Sequence, residues 1–291
     1  MEQDPLHPRL GLNVPYEWWP SAPSLKEIEA AGFAWVQIPS PPASVLSHPR
    51  DSARHAGALA AALGTGGLRR VLHGPGSLRA GTSEGDRALE GLLSYAAEAG
   101  ASHVIYHAAA FPDRPASEDR MLAETRSLAR AARVAERLGV KIALENLAPV
   151  FPGPDLVSFS PLTLRTMANR IGSPAVGLCL DVGHANVVAG LRRTETVRLI
   201  EPVMDRIVLF HLHDNLGARR GPESPPELDP IRLDLHLPPG RGSLDWARVS
   251  TPLRRHEAPL MLEIHPPRPA AAALHERALS VLRALPEAIA A

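Results

Sequence analysis

One cysteine, Cys179, stands in the whole chain, so neither an internal disulfide framework nor a thiolate metal cluster can come from a single copy. Lysine is almost as scarce: Lys26 and Lys141 are the only two, and every other basic residue is arginine. Net charge is missing as well. The 31 Lys and Arg meet 31 Asp and Glu, so no overall field draws the protein to nucleic acid or to an anionic membrane. Aromatic residues make up 4%, which leaves few rings to wedge between bases. No apolar run approaches the roughly eighteen residues needed to span a bilayer. The opening MEQDPLHPRL lacks a charged start followed by an apolar stretch, so a cytoplasmic location is expected.

What is present is enough apolar material for a sizeable core, 45% of 291 residues. Short apolar runs alternate with longer amphipathic segments. The runs predict strands at 9–14, 33–38, 68–73, 102–107, 140–145, 176–181, 206–213 and 259–264. Helical patterns lie near 24–31, 51–63, 84–99, 117–138, 161–171, 195–204, 244–255 and 270–289, with Ser24 and Ser117 as caps. Such alternation of strand and helix predicts an α/β fold, a (β/α)8 TIM barrel, over a single domain 1–291. The absence of a Gly-rich turn after the first strand counts against a dinucleotide fold. A Pro-rich stretch near 215–235 predicts a long loop after strand seven, on the side where barrel loops build active sites.

From the third onward, nearly every strand finishes on a metal-ligand type: His73, His107, Glu145, Asp181, His211 or His213, and Glu263. Taken singly, a strand-end histidine is more often a hydrogen-bonded structural residue, and Asp181 would serve as a helix N-cap. Their recurrence at one mouth of a barrel is what points to a metal. Alternation agrees, because Ala143, Cys179 and Leu209 lie two residues before Glu145, Asp181 and His211 on the same face. Imidazoles and carboxylates without thiolate suit Zn²⁺, Mn²⁺ or Fe²⁺. In 181-DVGH-184 the aspartate and His184 can face one centre from a single turn, and Asp234 and His236 in 234-DLHLPPGRGSLDW-246 point the same way if extended.

In combination and order, ALEN at Glu145, LDVGH at Asp181, HLHD at His211, HLPPGRGSLDW at His236 and LEIH at Glu263 resemble the xylose isomerase-like TIM barrels. That superfamily includes sugar isomerases and epimerases and the type IV AP-site endonucleases. For the isomerase branch, the resemblance implies one divalent ion, Mn²⁺ or Zn²⁺, on Glu145, Asp181, His211 and Glu263, with Glu145 and Glu263 also the catalytic proton carriers. It favours His211 over His213 because the family ligand stands three residues before an acidic residue, here Asp214. For the endonuclease branch, it implies further ligands at His73, His107, His184, Asp234 and His236, holding up to three ions. The chain departs from that branch at Gly183, where a cysteine is usual, at HLHDN in place of HLND-Ser, and in its longer loop from Asp214 to Asp234.

The resemblance therefore implies a metal-dependent isomerase or epimerase of a small sugar, sugar phosphate or cyclitol ketone, moving a proton through a metal-stabilised enediolate. His184, His213 and Arg241 would hold substrate oxygens, Trp18 and Trp19 would cover its apolar face, and Asp214 would orient an imidazole. The alternative is a multinuclear phosphoesterase of the AP-endonuclease type, with Arg219, Arg220 and Arg241 on phosphates. A non-catalytic sugar- or metal-binding barrel comes third, since binding alone does not need two glutamates on one metal. A Schiff-base lysine is disfavoured: Lys141 begins its strand, at the wrong end of the barrel. The expected partner is a small molecule rather than a membrane or nucleic acid, and a homodimer is left open.

Overall fold

A computed structural model describes residues 6–15, 21–64, 66–114, 117–150, 153–218 and 233–284. Eight parallel strands close into one barrel in sequence order. They are β1 Leu10–Asn13, β2 Trp35–Pro39, β3 Arg69–His73, β4 Ala101–Tyr106, β5 Lys141–Glu145, β6 Val176–Asp181, β7 Ile207–Leu212 and β8 Leu260–Leu262. Every predicted strand is found, and closure runs through Leu10 beside Leu260. The TIM-barrel fold expected from alternation is the fold observed.

Around the barrel lie α1 Ala22–Ala30, α2 Ala43–Leu46, α3 Pro49–Leu63, α4 Ser83–Glu98, α5 Ser117–Leu138, α6 Pro161–Ile171, α7 Val182–Arg192, α8 Val197–Ile200, α9 Trp246–Arg255 and α10 Ala271–Arg283. The longest, α5, buries Glu124, Leu128, Ala131 and Ala135, a spacing of three to four that puts one stripe against the sheet. Three expectations need correcting. Ser21, not Ser24, caps α1, while Ser24 closes the capping box as its third helical residue. The helix predicted at 195–204 breaks into α8 and a 3-10 turn over Glu201–Arg206, where Pro202 removes an amide donor. The sequence reading did not mark α7, because its residues from Val182 to Ala189 are all buried and show no polar face to set a period.

Inside the barrel one layer is apolar: Trp35, Val71, Ile105, Ala143, Cys179, Leu209 and Met261. β1 contributes Gly11 to this layer, and a Cβ there would stand 2.3 Å from Met261 Sδ, so the glycine gives that side chain its space. Two residues further along each strand, pleating returns the side chain to the interior. The ring so formed is Asn13, Gln37, His73, His107, Glu145, Asp181, His211 and Glu263. An apolar floor thus carries a polar mouth, with one ring residue from every strand.

Candidate metal centre

Backbone ties fix the ring before any ligand is considered. Asp181 is both a ring member and the N-cap of α7, taking the amide of His184 on Oδ1 at 2.7 Å. The cap engages Oδ1, and Oδ2 lies 3.5 Å from His211 Nδ1. Asn146, one residue beyond β5, receives the Asp181 amide on Oδ1 at 2.9 Å and donates to the Asp181 carbonyl at 3.0 Å. That exchange locks the ends of β5 and β6 in register.

Glu145, Asp181, His211 and Glu263, expected as ligands of one ion, come together, each buried, with their potential ligand atoms within 4.8 Å of one another. His211 Nδ1 is the hub, 3.0 Å from Glu145 Oε1, 3.2 Å from Glu263 Oε2 and 3.5 Å from Asp181 Oδ2. Its other nitrogen lies 2.7 Å from Gln37 Oε1, while Gln37 Nε2 donates to Glu263 Oε1 at 3.0 Å. An ionised carboxylate only accepts, so the amide orientation of Gln37 is set, and His211 Nε2 must be a donor. Nδ1 is then the nitrogen turned to three carboxylates. Gln37 was missed in the sequence; its one signal is a polar residue inside the apolar run FAWVQI.

A second group consists of His73, His107 and Glu145. His73 Nε2 and His107 Nε2 stand 3.4 Å and 3.1 Å from Glu145 Oε2, so the two oxygens of one glutamate serve two groups. The third group is His184, His213, Asp234 and His236. His184 Nε2 and His236 Nε2 lie 3.3 Å and 2.9 Å from Asp234 Oδ2, and His213 Nε2 is 3.7 Å from Oδ1. His236 takes a positive φ of 48° to present its ring, a local strain that its neighbours hold in place.

The chemistry of this donor set fits divalent cations. Nδ1 of His73, His184 and His236 lies 2.9, 2.8 and 2.9 Å from the carbonyls of Gly74, Asn146 and Glu263. A carbonyl only accepts, so each Nδ1 carries the hydrogen and each neutral ring turns the lone pair of Nε2 to the carboxylates. Glu145 Oε2 is buried and makes no hydrogen bond of good geometry among the described residues. Lone pairs gathered on buried carboxylates need protons or a metal between them.

The metal-free chain uses protons. Burial opposes charge on His236, but Asp234 outweighs it and lifts the ring to about 9. Burial likewise resists ionisation of Glu145, yet His211 and His107 hold its carboxyl well below the usual range. Cys179, in the layer below, also comes within reach of Glu145 and His211, but burial pushes its thiol up to about 12 and leaves it a poor ligand. Gln37→Ala should loosen the metal by roughly 10–100-fold, since the partner that fixes the His211 tautomer is lost. Competition with a chromophoric chelator measures this.

The remaining predicted residues are scattered. Arg241 is exposed, in the turn after Pro239. Trp18, Trp19, Arg219 and Arg220, with most of the loop near 215–235, lie outside the described residues. Asp214 does not orient an imidazole with its carboxylate. It accepts instead from the amides of Asn215, Gly240 and Leu244 and from Trp246 Nε1, at 2.9, 2.9, 3.2 and 2.9 Å. Three of these four donors, from Gly240, Leu244 and Trp246, tie the PPGRGSLDW segment to the end of β7 through one buried carboxylate. A Cβ on Gly242 would stand 2.2 Å from Asp214 Oδ1, which is why that turn carries glycine. No helix among the described residues is long and apolar enough to cross a membrane.

Residues 25–285 match the family model described as xylose isomerase-like TIM barrel. Among solved structures, a D-tagatose 3-epimerase-like protein superposes with a TM-score of 0.69 at 20% identity, covering 94% of this chain and 96% of its own. The 3-keto-D-glucoside 4-epimerase YcjR of E. coli gives 0.67 at 17%, covering 94% and 98%. The IOLI protein, solved with a zinc atom, gives 0.67 at 16%, covering 94% and 96%. At these identities the likeness shows the fold. Two uncharacterized proteins, of Methanocaldococcus jannaschii and Sinorhizobium fredii, are 29% and 27% identical over 128 and 166 residues. The matches span 44% and 56% of this chain but only 37% and 46% of those relatives.

Proposed function

Since the chain belongs to the xylose isomerase-like TIM barrel family, we propose that it is a metal-dependent isomerase or epimerase of a small sugar, sugar phosphate or cyclitol ketone. The observation that carries this reading is that Glu145 and Glu263, from β5 and just past β8, both meet His211 Nδ1, at 3.0 and 3.2 Å. Two ionised carboxylates therefore share one ion site, with Asp181 beside them. Glu145, Asp181, His211 and Glu263 would hold a divalent ion, which would supply Lewis acidity that lowers the cost of negative charge on neighbouring substrate oxygens. Zn²⁺ and Mn²⁺ both suit these donors.

The chain's own residues do the rest. Glu145 and Glu263 are in the ionised form that accepts a proton, and one takes it from the carbon beside the carbonyl while the other returns it. Arg241, exposed in the turn that follows His236, is the candidate for holding a substrate hydroxyl or phosphate. The epimerase names of two structural neighbours agree with this substrate class. A phosphoesterase is the second reading, favoured by the gathering of His73 and His107 around Glu145 and of three histidines around Asp234.

Metal content per chain, measured with proton exchange, separates the two. The expected result is incorporation of solvent deuterium at carbon in a ketose or cyclitol ketone, dependent on added Mn²⁺ or Zn²⁺. Hydrolysis of phosphate esters or AP-site DNA without carbon–deuterium exchange overturns the isomerase reading in favour of the second.

A further inference from the structure

Three imidazoles, where the family resemblance implies two, converge on Asp234. We propose that His213 is a metal ligand, completing with His184, Asp234 and His236 a four-donor site that is closed to substrate. The proposal rests on the metal-dependent reading above and deepens it, by assigning which part of the centre touches substrate and which does not.

The ring is built into its place. His213 is fully buried and stacks on His236, with centroids 3.9 Å apart and planes 14° from parallel. Gly183 also borders the ring, and a Cβ there would fall 2.1 Å from the ring carbon Cε1 and 2.5 Å from Nε2. The glycine in LDVGH thus makes room for the histidine in HLHDN, and these are two of the places where the chain departs from the endonuclease pattern. Nδ1 of His213 faces the carbonyl of Asp214 at 3.5 Å, which leaves Nε2 as the nitrogen turned inward. That nitrogen lies 3.0 Å from Asp181 Oδ1 and 3.7 Å from Asp234 Oδ1. It also lies 3.2 Å from Asp181 Oδ2, and so stands between a carboxylate of the first ion site and the carboxylate of the third.

Three imidazoles and one carboxylate suit a tetrahedral ion such as Zn²⁺ whose four places they fill, whereas the carboxylate-rich set of Glu145, Asp181, His211 and Glu263 suits an ion such as Mn²⁺, whose larger shell keeps places for water or substrate. With His213 in the set, the third group has no such place. Its ion would brace the segment carrying Asp234 and His236 against α7 and β7, and substrate would meet only the groups around Glu145. A phosphoesterase that clamps phosphate on every ion is incompatible with that arrangement.

The test compares wild type with His213→Asn and His236→Asn, each loaded with Co²⁺ and dialysed, by metal count and visible spectrum. We expect both variants to hold one ion fewer per chain than wild type, with the same absorption band missing. Inorganic phosphate should leave that band unchanged in wild type. Equal metal content and spectrum in His213→Asn and wild type overturns the proposal, as does a phosphate-induced shift of the band lost in His236→Asn. A zinc-edge anomalous map of the wild type gives a readout independent of variant folding. It should place an ion on His213 Nε2, and an ion on His184, Asp234 and His236 that leaves His213 out overturns the proposal. A wild type that binds no divalent ion fails the metal-dependent reading itself, which no result on His213 alone can do.

Discussion

Glu145→Gln is expected to abolish turnover and strip metal together. The glutamate joins the His73 and His107 group to the His211 group, with Oε1 at 3.0 Å from His211 and Oε2 at 3.1 Å and 3.4 Å from His107 and His73. It is also the only carboxylate in the His73 and His107 group. An amide of the same size keeps the shape but removes the charge and sets an NH₂ among lone pairs that need a cation. Loss of a proton-transfer group alone costs roughly 10²–10⁴-fold in rate, and loss of the ion adds to it. Glu263→Gln separates the two contributions. Asp181, Glu145 and His211 remain to hold the ion, so metal content should largely persist while deuterium exchange at carbon falls by roughly the same 10²–10⁴-fold. Turnover and elemental analysis on the same samples decide the matter. A fully metallated, active Glu145→Gln would remove this residue from the centre.

The barrel was legible because its strands are buried and short, and the polar ring because ligand-type side chains recur at strand ends with period-2 partners beneath them. Ala143 below Glu145 and Cys179 below Asp181 could be read directly, and both pairs are found. What pattern could not supply was identity of role. Gln37 looks like an isolated polar residue in an apolar strand until the return of β8 beside β1 brings Glu263 to within 3.0 Å of it. Asp214 sits one residue from His213 and two beyond β7, yet local proximity misleads: its carboxylate turns to Gly240 and Trp246, far along the chain. α7 escaped notice for the opposite reason, since burial all round erases the period that marks a helix.

The same long-range convergence gives these residues their electrostatic character. Individually these histidines are ordinary residues of strand ends, of α7 (His184) or of a connecting segment (His236). Together they form a buried block in which the rings stand only a few ångströms apart, as with His236 between His213 and His265 at 3.9 Å on either side. Metal ions would hold such a block together at neutral ring charge, whereas protons hold it by charging the rings.

That difference predicts a stability effect of changing size with pH. Stripping the ions at neutral pH should lower the melting temperature by roughly 10 °C. An ion at about a thousand times its dissociation constant contributes about 4 kcal/mol, and each kcal/mol moves a domain of this size by about 2–4 °C. In the stripped chain, the part contributed by protonated His236 is complete below its ordinary 6.5 and is lost as pH rises through about 9. His211 and His184 are also raised: burial opposes the proton in both, while Glu263 and Glu145 favour it in the first and Asp181 with Asp234 in the second. The carboxylates run the other way. Burial opposes their ionisation, but the facing histidines hold Asp181 and Glu263 below their ordinary values, so their contribution stands at neutral pH and is lost only as pH falls into the acid range. Between pH 6.5 and 9 the histidines therefore set the slope, and the stripped protein weakens. The loaded protein moves the opposite way, because fewer protons compete for the ring nitrogens and each ion is held more tightly. The gap in melting temperature between loaded and chelated samples should widen steadily across that window in calorimetry. A gap that stays constant or closes would mean that these histidines and carboxylates do not share their site between protons and metal.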